Sequence, residues 1–229
     1  MEGPITMEPI AHIRTQFPDK FGIPRQSGMV DALRATVVFD PPYGKEEAPR
    51  GLPEFSHIWL FWQFPRAVRG GWPPTVRPPR LGGNERLGVF ATRSPFRPNA
   101  IGLSCVRLLG IERSEKEGSV LLVAGADLLD GTPILDVKPY LPYADCHAEA
   151  TGGFAAGGDD HRLIVDFPPA LLEKVPPQER EGLLGVLSCD PRPPYQKDPG
   201  RIYGMAFGSV EVRFTVAEGT LTVRDVEQR

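Results

Sequence analysis

Two arginines and an asparagine on a proline-stiffened loop carry the clearest chemical signal in this chain. The run Gly88-Val89-Phe90-Ala91-Thr92-Arg93-Ser94-Pro95-Phe96-Arg97-Pro98-Asn99-Ala100-Ile101-Gly102-Leu103-Ser104 reads as a strand that opens into a polar loop and closes again. Pro95 and Pro98 fix φ, remove two backbone donors and push Ser94 and Arg97 towards extended conformations. Arg93, Arg97 and Asn99 should then project at set angles, and guanidiniums held in this way suit an anion or a carboxylate. A surface loop with solvated arginines is the plain alternative. Functional loops sit on rigid scaffolds, so the surrounding elements bear on the choice.

Missing motifs narrow the chemistry. The chain has no Gly-x-Gly-x-x-Gly after a strand, no Gly-x-x-x-x-Gly-Lys-Ser/Thr, no His-Glu-x-x-His and no Gly-x-Ser-x-Gly. Rossmann, P-loop, zincin and α/β-hydrolase sites are disfavoured accordingly. His12, His57, His147 and His161 are scattered without ligand spacing, so no metal centre is expected. Cys105, Cys146 and Cys189 are odd in number and far apart, which argues for reduced packing residues rather than a disulfide framework. A net charge of -3 does not advertise nucleic acid. Its distribution says more: Arg66, Arg69, Arg77, Arg80, Arg86, Arg93 and Arg97 face one acid, Glu85, within a single segment. A basic surface there could meet phosphate, although the chain prefers arginine to lysine throughout.

The elements that must position these residues read mainly as strands. Ile5 to Arg14, Ala35 to Phe39, Leu87 to Thr92, Ile101 to Ile111, Val120 to Ala126 and Ile134 to Val137 carry β-type composition between turn signals. Phe55 to Phe64 is an aromatic, apolar run read as a strand buried on both faces at the centre of the fold. No helical patterns separate these strands, which disfavours a parallel α/β sheet and favours a closed or half-closed antiparallel barrel. The texture changes after about Tyr143, where Gly152-Gly153 and the run from Ala155 to Asp160 resemble a linker. A helix led by Pro177 with Leu183, Leu184 and Leu187 on one face should follow, ending before Asp190. Alternation at Val210, Val212, Phe214 and Val216, then Glu218-Gly219, predicts a β-hairpin. The fold class expected is mainly β, an antiparallel β-barrel over residues 1–150 with a small α+β domain over 151–229. No apolar run is long enough for a membrane span and the start lacks a secretory layout, so a cytoplasmic location is expected.

Six separated segments, in one order, resemble the TrmO (TsaA-like) family. They are Phe21 to Gly28, Phe55 to Trp59, Gly70 to Asn84 leading to Arg93, the opening loop, Asp127 to Pro133 with Asp136 to Pro142, and Asp190 to Tyr195. The resemblance implies a single-barrel, non-Rossmann methyltransferase that uses S-adenosylmethionine. Its substrate would be the exocyclic nitrogen of threonylcarbamoyl-adenosine beside the anticodon of tRNA, and the enzyme would be a homodimer. By similarity, Pro24, Arg25, Gln26, His57, Ile58, Arg93, Leu103, Asp130, Gly131, Thr132 and Pro133 would hold the cofactor. Arg25 or Arg93 suits its carboxylate. Arg77, Arg80, Arg86, Arg97, Asn99 and Tyr195 would touch tRNA, with Tyr195 or Trp72 free to stack on a base. The acylated acceptor nitrogen is a poor nucleophile while protonated, so a base is desirable. Asp136 and Tyr140, with His57, are the candidates on sequence grounds. A barrel that senses S-adenosylmethionine or RNA without catalysis is the alternative, and a methyltransferase of this fold acting on another acceptor is a second one.

Overall fold

The computed structural model describes all residues except 1, 2, 4, 68–70, 82, 83, 157–160, 194, 195 and 197, and leaves out the side chain of Arg80. In chain order the strands are β1 (Ala11–Arg14), β2 (Arg34–Phe39), β3 (His57–Gln63), β4 (Thr75–Val76), β5 (Leu87–Gly88), β6 (Ile101–Ser114), β7 (Gly118–Ala124) and β8 (Thr132–Pro139). The short helix α1 (Pro142–Asp145) follows, then β9 (Ile164–Asp166), α2 (Pro169–Leu172), α3 (Pro177–Ser188), β10 (Tyr203–Phe207), β11 (Val210–Ala217) and β12 (Thr220–Gln228).

The first sheet closes on itself in the order β1-β2-β7-β6-β3-β8, every pair antiparallel. The antiparallel barrel expected from the strand pattern is the observed one. Strict alternation drives closure: β3 buries Ile58, Leu60 and Trp62 inside, while His57, Trp59, Phe61 and Gln63 lie on the outer side and are only half-buried. This corrects the reading of Phe55–Phe64 as buried on both faces; in a closed barrel each strand has one inner and one outer face. Val37, Val106, Leu121, Val123 and Ile134 complete the filling of the interior. Register shifts in β6 between Leu108 and Gly110, and in β3 against β8 between Phe61 and Trp62, bend the sheet into the barrel.

Two other expectations change. Leu87 to Thr92 is not a barrel strand: only Leu87–Gly88 is extended, paired with β4 in a separate ribbon, and Val89–Ala91 forms a 3-10 turn. Ile5 is 91 % exposed, so β1 begins only at Ala11, where inward positions are filled.

The second core joins parts distant in sequence. The sheet β10-β11-β12-β9 packs against α3, whose Leu183, Val186 and Leu187 are fully buried. Burying such side chains stabilises by roughly 1.5–3 kcal/mol each. Phe17, Val30 and Leu33, from the β1–β2 connection, belong to this same core. Phe17 meets Phe207 edge-on at 5.6 Å, and Phe21 stacks on Phe214 at 6.5 Å. Gly22 takes φ +93°, and a Cβ there would lie 2.3 Å from Met205 Sδ, so the connection is pressed flat against the second sheet. The connection between the first two barrel strands is thus clamped by the C-terminal sheet.

Candidate active site

At one mouth of the barrel lies a cavity of about 680 Å³, built from five chain segments. The clamped β1–β2 connection supplies Ile23, Pro24, Arg25 and Gln26, and the end of β3 supplies Trp62 with Phe64, Pro65 and Arg66 beyond it. The proline loop supplies Arg93, Arg97 and Asn99, the start of β6 supplies Gly102 and Leu103, and the β7–β8 turn supplies Asp127 and Thr132. Lys20, Arg25, Arg66, Arg93 and Arg97 give the wall five cationic side chains, against which Asp127 is the one carboxylate among the described lining residues.

The loop is rigid for reasons visible in its bonds. Thr92 Oγ1 donates to the Val89 carbonyl at 2.8 Å and accepts from the Ser94 N–H at 3.2 Å. The Arg97 guanidinium donates through Nη1 to the Thr92 carbonyl at 3.1 Å, and its backbone N–H closes on the Pro95 carbonyl at 3.0 Å. Arg93 Nη1 donates to Gln26 Oε1, joining the loop to the clamped connection across the cavity mouth. The arginines are therefore held in place from more than one side.

A buried polar chain runs down the inner wall. Trp62 Nε1 donates to Ser104 Oγ at 3.0 Å, and Ser104 Oγ donates to Asp127 Oδ1 at 2.6 Å. Ser104 is 1 % exposed, so both of its bonds are shielded from water. Burial pushes the Asp127 carboxyl above the ordinary range; the Ser104 hydroxyl, its own and the Ser27 backbone N–H groups and the Arg93 charge pull the other way without cancelling it. Gly102 lies directly beneath the Trp62 indole, where a Cβ would stand 2.3 Å from Cε2. Only glycine lets the indole lie flat there and reach Ser104.

The structure brings Pro24, Arg25, Gln26, Arg93, Leu103 and Thr132 together around this cavity, with Arg97 and Asn99 beside them. Thr132 is fully buried and donates to the Leu129 carbonyl at 2.7 Å. Asp130, Gly131 and Pro133 flank it without lining the cavity; Asp130 Oδ1 accepts from the Thr15 N–H at 2.8 Å, and Gly131 N–H donates to the Ile13 carbonyl at 2.8 Å. That turn is tied down on β1. His57 and Ile58 are not brought to the cavity. They begin β3, whose other end reaches it, a separation of roughly 16 Å at strand rise. Ile58 is fully buried in the barrel core, and His57 pairs its Nδ1 with Ser56 Oγ at 2.9 Å beside the Tyr140 ring.

Asp136 and Tyr140 are elsewhere too. Asp136 stands opposite Phe61 and pairs with Lys138 Nζ at 2.9 Å, and Tyr140 packs 5.8 Å from Trp59. Neither lines the cavity: the register shift of β8 against β3 turns Asp136 to the outer face with Phe61, and Tyr140 lies beyond the end of β8. Of the expected tRNA contacts, Arg86 Nη1 donates to Thr75 Oγ1 at 2.7 Å, which ties the small ribbon, and Arg77 is exposed. The Arg80 side chain and Tyr195 lie outside the described residues. Asp127, Ser104 and Trp62 were not singled out by sequence reasoning, and Arg66, read there as part of a basic surface, lines the cavity instead. A signal existed: β3 and β6 pair Leu60 with Ser104 and Trp62 with Gly102, which puts a serine on the inner face. A buried hydroxyl requires partners, and that requirement points to Asp127.

The comparisons agree with this architecture. The family description "tRNA-methyltransferase O N-terminal domain" matches residues 12–146, and "TrmO C-terminal domain" matches residues 160–229. The chain is 40 % identical over 230 residues to the tRNA (adenine(37)-N6)-methyltransferase of Escherichia coli K12, covering 97 % of each. It is 43 % identical over 216 residues, 91 % of each chain, to RcsF of Pseudomonas aeruginosa PAO1, a protein assigned by name to the S-adenosylmethionine-dependent methyltransferases. The crystal structure of TrmO from P. aeruginosa superposes with a TM-score of 0.82 at 35 % identity, covering 100 % of this chain and 99 % of that one. In both of its folded parts, the chain belongs to the tRNA-methyltransferase O family.

Proposed function

We propose that this protein transfers a methyl group from S-adenosylmethionine to N6 of the threonylcarbamoyl-adenosine at position 37 of tRNA. One observation carries the reading. Within a family of tRNA methyltransferases, this chain has a barrel-mouth cavity whose described lining carries five cations and one half-buried carboxylate. The donor set fits the cofactor: Arg25 and Arg93 suit a carboxylate, Ile23, Phe64 and Leu103 offer apolar walls to a purine, and the volume lies within the range of small-molecule sites.

S-adenosylmethionine, when bound, supplies an electrophilic methyl carbon on a sulfonium. The rest falls to the protein. The Arg93–Gln26 contact fixes the two sides of the mouth, and the Trp62–Ser104–Asp127 chain fixes a carboxylate inside it. Positioning alone supplies much of such an in-line transfer. As the N6 lone pair attacks, Asp127 accepts the N6 proton, and its raised pKa makes it a better base than a solvated aspartate. Asp127 takes this role in place of Asp136 and Tyr140, which do not face the cavity.

The protein is further read as cytoplasmic, where its tRNA substrate is found, and as a homodimer, with Leu109, 43 % exposed on β6, available to a second copy. Sedimentation equilibrium tests it; a monomer at micromolar concentration ends that part of the reading. The activity is tested with labelled S-adenosylmethionine and tRNA carrying or lacking the threonylcarbamoyl group. Methylation that depends on the group supports the assignment, and its absence refutes it.

A further inference from the structure

A second cavity of about 590 Å³ opens against the first and shares Arg97, Asn99, Ala67 and Ile101 with it. Its remaining walls include Trp72, Phe96 and Gln63, so aromatic faces meet amide groups. A third cavity, at Arg14, Gln16, Arg34 and Thr36, shares no residue with either. Methyl transfer requires donor carbon and acceptor nitrogen to approach within about 3–3.5 Å, so the acceptor must enter a space continuous with the donor's. The second cavity adjoins the first along these four residues, which places an acceptor in it next to the donor.

We propose that this second cavity is the acceptor subsite: it receives the unstacked purine nucleoside, with the ring against Trp72 and the N6 substituent at the wall shared with the cofactor cavity. This rests on the methyltransferase reading above and deepens it. Trp72 is 44 % exposed, and its ring centroid lies 5.7 Å from that of Phe90, itself 71 % exposed. An aromatic pair left open to solvent beside a cavity is a stacking platform for a base that has left its helix or loop stack. At the shared wall, Asn99 offers an amide donor and acceptor, the complement of a carbamoyl group. Arg97 commits Nη1 to the Thr92 carbonyl, which fixes the plane of the guanidinium, and among the described residues its other N–H donors are left to meet a carboxylate. An N6 substituent ending in a carboxylate has the right chemistry for this pair, whereas unmodified adenine carries neither the carbamoyl nor the carboxylate. Recognition of the modified nucleoside is thereby placed at Arg97 and Asn99, and base stacking at Trp72.

The test uses the full chain with two tRNA preparations, one carrying N6-threonylcarbamoyl-adenosine and one carrying plain adenosine at the same position. Trp72→Ala should raise KM for the modified tRNA roughly tenfold, in keeping with the value of base–aromatic stacking, and Trp72→Phe should restore most of it. Arg97→Gln should erase the preference for binding modified over unmodified tRNA. Affinity for S-adenosylmethionine, measured by calorimetry without tRNA, should change less than twofold in Trp72→Ala. As an independent check, the free nucleoside N6-threonylcarbamoyl-adenosine should bind the wild-type protein and lose binding in Trp72→Ala. An unchanged KM and unchanged nucleoside binding in Trp72→Ala would overturn the subsite, and so would a loss of S-adenosylmethionine affinity, since the cavity would then belong to the cofactor. If the wild-type protein turns over no modified tRNA, the methyltransferase reading fails first; active wild type with an indifferent Trp72→Ala sinks only the subsite.

Discussion

Replacing Asp127 by asparagine keeps the side-chain shape and an acceptor for the Ser104 hydroxyl, and removes the negative charge and the basicity. In the wild type, burial holds this carboxyl above the ordinary aspartate range. The rate of methyl transfer should therefore rise with pH through that raised pKa and level off above it. A positioned general base contributes about 10²–10⁴-fold. Asparagine leaves the positioning intact, so we expect kcat to fall about 10²–10³-fold, or roughly 2.7–4 kcal/mol in the barrier. The acidic limb should vanish, while affinity for S-adenosylmethionine changes little. Stability offers a second readout with a definite sign. A carboxyl whose folded pKa exceeds its unfolded value binds protons more tightly when folded, so its contribution to stability declines as pH rises from the ordinary value through the raised one. Asp127→Asn should then gain in melting temperature relative to the wild type as pH rises across that window. The assays are single-turnover methylation of modified tRNA between pH 5 and 9, calorimetric cofactor binding, and thermal melts over the same range. Tenfold weaker cofactor binding with kcat unchanged would make Asp127 a partner of the cofactor's positive charge and refute the base. So would an acidic limb that survives in the variant.

Three further substitutions probe the same framework. Ser104→Ala strips partners from Trp62 Nε1 and Asp127 Oδ1, so it should cost about 1–3 kcal/mol in denaturant unfolding, and it should move the acidic limb of the rate profile still higher, because the lost hydroxyl favoured the ionised carboxylate. Gly22→Ala forces a side chain into φ +93° against Met205 Sδ, with a backbone cost alone of about 1–2 kcal/mol. Since the same connection carries Pro24, Arg25 and Gln26, cofactor affinity should fall along with the melting temperature; a melt shift with cofactor binding untouched would show that the clamp does not reach the cavity. Arg14→Ala breaks the exposed pair with Glu117, 2.5 Å apart, and should leave both the melt and the activity unmoved, because solvent screens such pairs; a clear loss in either would contradict the accounting.

Much of the barrel was legible because alternation is a local property. Val37, Leu121, Val123 and Ile134 sit inside for the reason their neighbours sit outside: the pleat turns successive side chains to opposite faces. Leu87 to Thr92 misled, since β-type composition there goes into a two-residue ribbon and a 3-10 turn, and nothing local distinguishes that from a longer strand. His57 and Ile58, expected beside the cofactor, do not line this cavity. They adjoin an aromatic strand that does reach the cavity, but through its far end at Trp62, and distance along an extended strand separates the two ends.

From the residues alone came the class of the fold, the family, the stiffness of the loop between Thr92 and Asn99, and the presence of guanidiniums on it, since prolines and strand periodicity act within a few residues. Only the tertiary structure decided which groups share one space. Barrel closure sets β6 against both β3 and β7, and so carries Ser104 between Trp62 and Asp127, residues 42 and 23 positions away from it. The C-terminal sheet, packed on the β1–β2 connection through Phe17 and Phe21, holds Arg25 and Gln26 opposite Arg93. Contacts of that kind are bought with long-range packing and loop closure, and no short window of sequence contains them.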